Sequence, residues 1–175
     1  MKLSPTYRMP FKRRLEGKTD YDKRLEILKS KMPQLVIRKS LNYVRAQITD
    51  FDKKGDKTLS SASSKELKKL GWTFSCDNIP AAYLTGLLIG KKSLESNVNE
   101  VILNSGLYTS VKGSRIYAVV KGALDAGLKV PVGEEILPSD DRIKGEHITK
   151  FKNLPVEFEK IKQKYPDVVS FKNTE

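Results

Sequence analysis

The chain has 175 residues, a formal net charge of +12 and 38% hydrophobic residues, which suit one domain with a basic arm. No apolar run approaches the roughly 20 residues needed to cross a bilayer, and the charged N-terminus lacks the apolar segment of a secretory signal. One cysteine and one histidine exclude an internal disulfide framework and disfavour a Cys/His metal site. We therefore expect a cytoplasmic protein without a metal or cofactor.

The positive charge is concentrated at one end of the chain. Residues 1–47 hold 13 Lys and Arg against 4 Asp and Glu, a net of +9, and the other 128 residues hold only +3. This asymmetry indicates a polyanionic partner for the N-terminal end. Residues 1–17 show no hydrophobic period, so alone they should be disordered or extended. They are either a solvated tail or an arm that folds against phosphates.

The next segments predict one short helix and two strands. Thr19–Ser30 has helical spacing of Leu25 and Leu28, and Thr19 with Asp22 resembles a capping box. Gln34–Arg38 and Tyr43–Phe51 are rich in β-branched and aromatic residues.

The second strand alternates apolar and polar residues. Its apolar set is Val44, Ala46 and Ile48, and its polar set is Arg45, Gln47 and Thr49. Thr58–Ser61 is a third predicted strand beyond the turn Lys53–Asp56, which completes an antiparallel meander. The polar set should face water or a ligand.

The second half predicts helices that alternate with short strands. Ser63 and Glu66 form a capping box for a short helix, and Asn78 caps a longer helix that should end at Gly90. Val101–Leu103 is a short buried strand, and Ser114 opens a helix closed by Gly127. This order implies at least one parallel strand pairing.

The C-terminal part has a weaker pattern. We predict an extended connector at Ile136–Pro138, a short helix within Asp140–Ile148 and an amphipathic helix over Val156–Tyr165. Residues 167–175 should form a loose tail or an edge segment. The order of the elements predicts an α/β layer, with a basic arm and helix (1–31), a core (32–132) and a C-terminal extension (133–175).

Three catalytic interpretations were weighed. The segment from Gly86 to Ser93 has the wrong spacing and context for a phosphate-binding loop, and we interpret its glycines as a helix contact and a C-cap. Asp50 and Asp52, with Asp125, leave open a metal-dependent nuclease. His147 and Cys76 have no partner pattern that indicates catalysis.

An RNA-binding surface is the interpretation that the residues favour most. The arm, the basic helix and the polar faces of the strands place cations beside neutral donors, which suit phosphate oxygens and 2′-hydroxyl groups. A non-selective polyanion-binding protein is the remaining alternative.

Several blocks in order resemble one family. They are RRLEGKTDY, LVIRKSLNYVRAQITDFDKKGDKTLSSASS, GSRIYAVVKGALDAGLKVP and DRIKGEHI. Together they resemble the archaeal and eukaryotic branch of the L18 family of large-subunit ribosomal proteins, over roughly Tyr7 to Phe151. The chain departs from that branch at Asn104-Ser105, where Asp-Ile is common, and at Val132, where a histidine is common.

The resemblance implies a small α/β mixed-sheet sandwich in which residues 32–132 form the RNA-binding core. It also implies a non-enzymatic protein of the large ribosomal subunit in the cytoplasm. It would bind 5S ribosomal RNA, help attach it to the large ribosomal RNA at the central protuberance, and contact neighbouring ribosomal proteins, with no membrane and no small-molecule substrate. The RNA contacts carried over are Arg13, Arg14, Lys18, Thr19, Tyr21, Arg24, Arg38, Lys39, Ser40, Asn42, Arg45 and Gln47. The resemblance also implies contacts from Ser60, Ser61, Ser63, Ser64, Lys112 and Arg115.

Overall fold

The computed structural model describes residues 6–148 and 153–163. Its helices are α1 (Lys12–Leu15), α2 (Tyr21–Lys29), α3 (Glu66–Lys69), α4 (Ile79–Glu95), α5 (Arg115–Asp125), α6 (Asp140–Lys144) and α7 (Leu154–Gln163). Its strands are β1 (Gln34–Lys39), β2 (Val44–Asp50), β3 (Lys57–Ser63) and β4 (Ile102–Asn104). None of the helices in these residues is long and apolar enough to span a membrane.

The four strands form one mixed sheet in the order β3-β2-β1-β4. The first three strands pair antiparallel as the predicted meander, and β4 pairs parallel with β1. The parallel pair is possible because α4 crosses over between β3 and β4, as a parallel connection requires. The predicted α/β class with a mixed sheet is confirmed.

Helices α4 and α5 pack together and cover one face of the sheet. Their backbones approach closely at two glycines: a Cβ on Gly86 would lie 2.1 Å from the Val119 carbonyl oxygen, and one on Gly122 would lie 2.2 Å from that of Tyr83. The predicted helix end at Gly90 is wrong. The helix continues to Glu95 because Gly90 is a third contact point, where an added Cβ would lie 2.3 Å from the Ala126 Cβ.

Helix starts were predicted with mixed success. Asn78 caps α4 as expected, since its Oδ1 accepts a hydrogen bond from the Ala81 amide at 2.8 Å. The cap of α2 is Asp20 rather than Thr19, because the Asp20 carboxylate accepts from the amides of Asp22 and Lys23. At α3 only half of the capping box forms, with Glu66 accepting from the Ser63 amide.

The two ends of the chain add short elements to this core. The arm, expected to be disordered or extended alone, contains the single turn α1, which has no buried residue. A 3-10 turn at Glu134–Ile136 replaces part of the predicted connector. Helix α7 packs its Phe158 ring 5.6 Å from that of Tyr83, so the amphipathic helix is confirmed as far as Gln163. The predicted helix end at Tyr165 and the predicted tail at 167–175 lie outside the described residues.

Candidate nucleic-acid interface

The face of the sheet opposite α4 and α5 carries two rows of side chains, which we call the polar face. The strand register places Arg38, Arg45 and Ser63 in one row and Val36, Gln47 and Ser61 in the next. Their alternate neighbours Leu35, Ile37, Val44, Ala46 and Ile48 are fully buried in the core. The predicted orientation of Arg45 and Gln47 is therefore observed.

Thr49 does not belong to the polar face as predicted. The pairing of β2 with β3 shifts register between Ile48 and Thr49. A shift of this kind interrupts the strand alternation. Thr49 is consequently only 9% exposed, and its hydroxyl has no hydrogen-bond partner among the described residues.

The predicted serine contacts separate into two groups. Ser61 and Ser63 lie on the polar face, opposite Gln47 and Arg45. Ser64 is fully buried, and its hydroxyl accepts a hydrogen bond from the Val44 amide at 3.0 Å. The Ser60 hydroxyl is also buried. The expectation that Ser60 and Ser64 contact RNA is therefore corrected, because both hydroxyls are buried. The sequence shows that the serines are neighbours but not which of their hydroxyls face the core.

The turn between β1 and β2 is built by its own side chains. The Ser40 hydroxyl donates to the Tyr43 carbonyl and accepts from the Tyr43 amide, both at 3.0 Å, while Asn42 is exposed at the tip. Tyr108 contacts Lys39, the residue before Ser40. The Tyr108 hydroxyl donates to the Lys39 carbonyl at 2.8 Å, and the Lys39 ammonium lies 5.1 Å from the Tyr108 ring centroid. The turn is therefore held in one conformation beside the polar face.

Helix α2 is tied to the sheet by two of its cations. Arg24 donates to both Asp56 carboxylate oxygens, at 2.7 and 2.9 Å, and this hydrogen bonding raises the pKa of its guanidinium. Lys23 donates to the Gly106 carbonyl at 3.1 Å and to the Ser105 hydroxyl at 3.3 Å. Arg24, a predicted RNA contact, thus also positions the helix.

The arm folds back onto α2. The Phe11 and Tyr21 rings lie 5.1 Å apart, and Arg13 Nε donates to the Thr19 hydroxyl at 2.9 Å. Two exposed ion pairs, Arg14 with Asp22 and Lys18 with Glu16, lie alongside. Exposed pairs of this kind contribute little to stability, so their cations can exchange a carboxylate for another anion at low cost.

Arg38 lies between the polar face and the loop after β4. Its Nη1 donates to the carbonyl oxygens of Ile37 and Asn104, at 2.8 and 3.0 Å. Burial lowers the pKa of this guanidinium, and Arg38 makes no ion pair with any described residue. Gly106 provides the space, since a Cβ there would meet the guanidinium at 3.0 Å, and its φ of +64° suits glycine.

Lys112 and Arg115 line a cleft of about 560 Å³ near the start of α5, and Lys39 at the end of β1 lines it too. Arg115 forms an ion pair with Asp77 and also donates to the Asp77 carbonyl, at 3.0 Å. Arg142 and His147 line the same cleft, and neither is among the RNA contacts predicted from the sequence. The cleft therefore brings cations from the loop before α5 and from α6 close to the end of β1.

The carboxylates considered for a nuclease site have other roles. Asp50 accepts from the Phe51 amide, Asp52 pairs with Lys57, and Asp125 accepts from the Tyr83 hydroxyl at 2.8 Å. Across residues 6–148 and 153–163, no group of three His, Cys, Asp or Glu could hold a metal ion. Cys76 is buried, which raises the pKa of its thiol.

Comparison with known proteins identifies the family. The family described as "Ribosomal large subunit proteins 60S L5, and 50S L18" matches residues 5–100, more than half of the chain. The large ribosomal subunit protein uL18 of Methanococcus maripaludis is 50% identical over 151 residues, which cover 86% of this chain and 78% of the relative. The chain belongs to the L18 family of large-subunit ribosomal proteins. The resemblance to the archaeal branch is confirmed.

Membership of the L18 family settles the choice between a ribosomal protein and an enzyme. The family description and the relative both name proteins of the large ribosomal subunit, so this chain is a ribosomal protein and not the nuclease that the carboxylates left open.

Some residues at the candidate interface of this L18-family chain were not foreseen. Lys23, Asp56 and Tyr108 hold the predicted contacts in place through hydrogen bonds across 32 to 83 residues of sequence. A single sequence contains no periodic signal for such distant pairs. The glycine at position 106 is one local signal of this site, because a Cβ there would lie 3.0 Å from the Arg38 guanidinium.

Proposed function

We propose that this L18-family protein binds 5S ribosomal RNA and helps attach it to the large ribosomal RNA at the central protuberance. The RNA would lie across the polar face, with the arm and α2 along one side. The observation that carries the proposal is the direct pairing of Arg38 with Arg45 on an exposed sheet face. Like charges directly opposite each other destabilise a sheet, whereas a bound polyanion removes that cost.

The chemistry of the surface fits RNA. Arginine forks and lysine ammonium groups bind phosphate oxygens, and neutral donors such as Gln47, Ser61 and Ser63 suit ribose hydroxyls. The proposed contacts are Arg13, Arg14, Lys18, Thr19, Tyr21, Arg24, Arg38, Lys39, Ser40, Asn42, Arg45, Gln47, Ser61, Ser63, Lys112 and Arg115. Ser60 and Ser64 are left out because their hydroxyls are buried.

Three parts of the chain would have different roles in RNA binding. Residues 32–132 would be the RNA-binding core, because they contain the sheet and both packed helices. Residues 1–31 would extend the contact along the phosphate backbone. Residues 133–175 would form an extension, and neighbouring large-subunit proteins are the partners proposed for the protein as a whole.

A competition experiment tests the selectivity. Labelled 5S ribosomal RNA is titrated with the full chain at two salt concentrations, with transfer RNA as competitor. We expect tight binding that transfer RNA does not displace and that weakens steeply with salt, as the release of counterions predicts. Equal displacement by transfer RNA would instead identify a non-selective polyanion-binding protein.

A further inference from the structure

A small pocket of about 170 Å³ lies where the arm, α2, the end of β1 and the loop after β4 meet. Five cations and a glycine are prominent in its lining: Arg13, Lys18, Lys23, Arg24, Arg38 and Gly106. We infer that this pocket, the phosphate seat, binds one phosphate group. The inference rests on the proposed function, since a phosphate of the bound RNA backbone is its expected occupant.

Three of the cations have no anionic partner in the part of the chain that the structure describes. Arg13 donates to the Thr19 hydroxyl, Lys23 to a carbonyl and a hydroxyl, and Arg38 to two carbonyls. None of the three forms an ion pair within residues 6–148 and 153–163. Because these acceptor oxygens are neutral, the positive charges of the three side chains are not compensated at the pocket that all three line. A phosphate can accept charge-assisted hydrogen bonds from all three.

One carboxylate, Asp20, also lines the pocket, and it forms no ion pair with Arg13, Lys23 or Arg38. Asp20 contributes its side chain to the cap of α2, where Oδ1 accepts from the amides of Asp22 and Lys23 at 3.1 and 3.2 Å. Its negative charge offsets only one of the five positive charges that line the pocket. Arg24 and Lys18 already pair with Asp56 and Glu16, so the uncompensated charge belongs to Arg13, Lys23 and Arg38.

The dimensions of the pocket select a small anion. Pockets for drug-sized ligands typically measure about 300–1,000 Å³, so a cavity of about 170 Å³ suits a phosphate group rather than a whole nucleotide. The planar Arg38 guanidinium lies against Gly106 and can offer its fork to two phosphate oxygens.

The walls of the phosphate seat come from separate parts of the chain. Arg13 belongs to the arm, Lys23 to α2 and Arg38 to β1, and Gly106 follows β4. One phosphate would therefore bridge the arm, α2, β1 and the loop after β4. Occupation of the seat should hold the arm against the sheet, which links arm docking to RNA binding.

The test uses full-length variants that alter the seat in different ways. Gly106→Ala adds a Cβ that displaces the Arg38 guanidinium, and Lys23→Gln removes one cation while the glycine at position 106 is kept. Gly71→Ala is the matched control, because Gly71 also has a positive φ, +100°, but nothing within 4 Å of its Cβ position. The binding constant for labelled 5S ribosomal RNA is measured over a series of NaCl concentrations, and thermal unfolding confirms that each variant is folded.

Loss of one phosphate contact should lower the slope of log binding constant against log salt by about 1. We expect this for Gly106→Ala and Lys23→Gln, with roughly tenfold weaker binding, and no change for Gly71→Ala. If both seat variants kept the wild-type slope while the wild type still selected 5S RNA over transfer RNA, the phosphate seat would be overturned and the proposed function would stand.

A second experiment uses inorganic phosphate alone. It distinguishes a pocket that binds free phosphate from one that binds phosphate only as part of an RNA backbone. Thermal unfolding is compared in phosphate and in chloride at equal ionic strength, since a ligand that binds the folded state raises the midpoint. A phosphate-specific rise that Gly106→Ala abolishes and Gly71→Ala retains supports the seat even if 5S RNA selectivity fails. If selectivity failed and phosphate gave no specific rise, both the seat and the proposed function would be rejected.

Discussion

Arg38 on β1 lies directly opposite Arg45 on β2, so two guanidinium-bearing residues share one row of the exposed polar face. Burial lowers the pKa of Arg38, and Tyr108 is the nearby group that opposes this effect. The arrangement favours the binding of an anion over the stability of the sheet. Its cost to folding should be measurable when one of the two charges is removed.

Arg45→Gln should weaken RNA binding by about tenfold while leaving the protein as stable as the wild type or more stable by about 0.2–1 kcal/mol, because a like-charge pair is removed. RNA titration and urea unfolding measure the two effects. Lys69→Gln, in the last turn of α3, removes one exposed charge away from the polar face and serves as the control. Unfolding of Arg45→Gln would mean that this side chain supports the core.

The arm should contribute phosphate contacts that depend on salt. We expect the double variant Arg13→Ala, Arg14→Ala to bind 5S RNA more weakly and to lower the salt slope by roughly 1–2, about one per lost contact. Filter binding over a range of NaCl concentrations measures the slope. An unchanged slope would remove the arm from the interface.

Ser64→Ala should destabilise the protein without a direct effect on RNA binding. The substitution leaves the buried Val44 amide without its acceptor, which costs about 1–3 kcal/mol. Urea unfolding gives the free energy, and Ser61→Ala is the control because Ser61 is exposed on the polar face. The proposal predicts the reverse pattern for Ser61→Ala, with weaker RNA binding at unchanged stability.

Gly122→Ala should be strongly destabilising, by more than about 2 kcal/mol, since α4 and α5 must separate to admit a Cβ that would lie 2.2 Å from the Tyr83 carbonyl oxygen. Thermal or urea unfolding measures the loss. Gly133→Ala provides the comparison, because its Cβ position has no neighbour within 4 Å. Equal effects at the two sites would contradict the close helix contact.

Stability should fall at high pH through Tyr83. Burial, with the charge of Asp125 and its hydrogen bond, raises the pKa of the Tyr83 hydroxyl in the folded protein above its ordinary value of 10.0. The folded state therefore keeps a proton that the unfolded chain loses, and above pH 10 the free energy of unfolding should drop by about 1.4 kcal/mol per pH unit. Urea unfolding of the wild type and Tyr83→Phe from pH 9 to 11 should show a shallower decline in the variant.

Local patterns predicted most of the fold. Alternation of polar and apolar residues placed Arg45 and Gln47 on one face of β2, and helical spacing with the Asn78 cap predicted the start of α4. These signals depend on neighbours a few residues apart, so the sequence carries them directly. The same approach misplaced the end of α4 at Gly90, because a glycine that ends a helix and one that admits a second helix look alike in sequence.

The sequence by itself determined that one end of the chain is strongly basic and that the fold is of the α/β class with a mixed sheet. It also contained the four sequence blocks that resemble the L18 family. Only the tertiary structure decided which of the polar residues share a surface. It turned the hydroxyls of Ser60 and Ser64 inward, and it used Arg24 to anchor α2 to Asp56. It also brought Arg13, Lys23 and Arg38 around one pocket. The physical reason is that charge and periodicity are local properties of a chain, whereas burial and charge compensation depend on residues far apart in sequence.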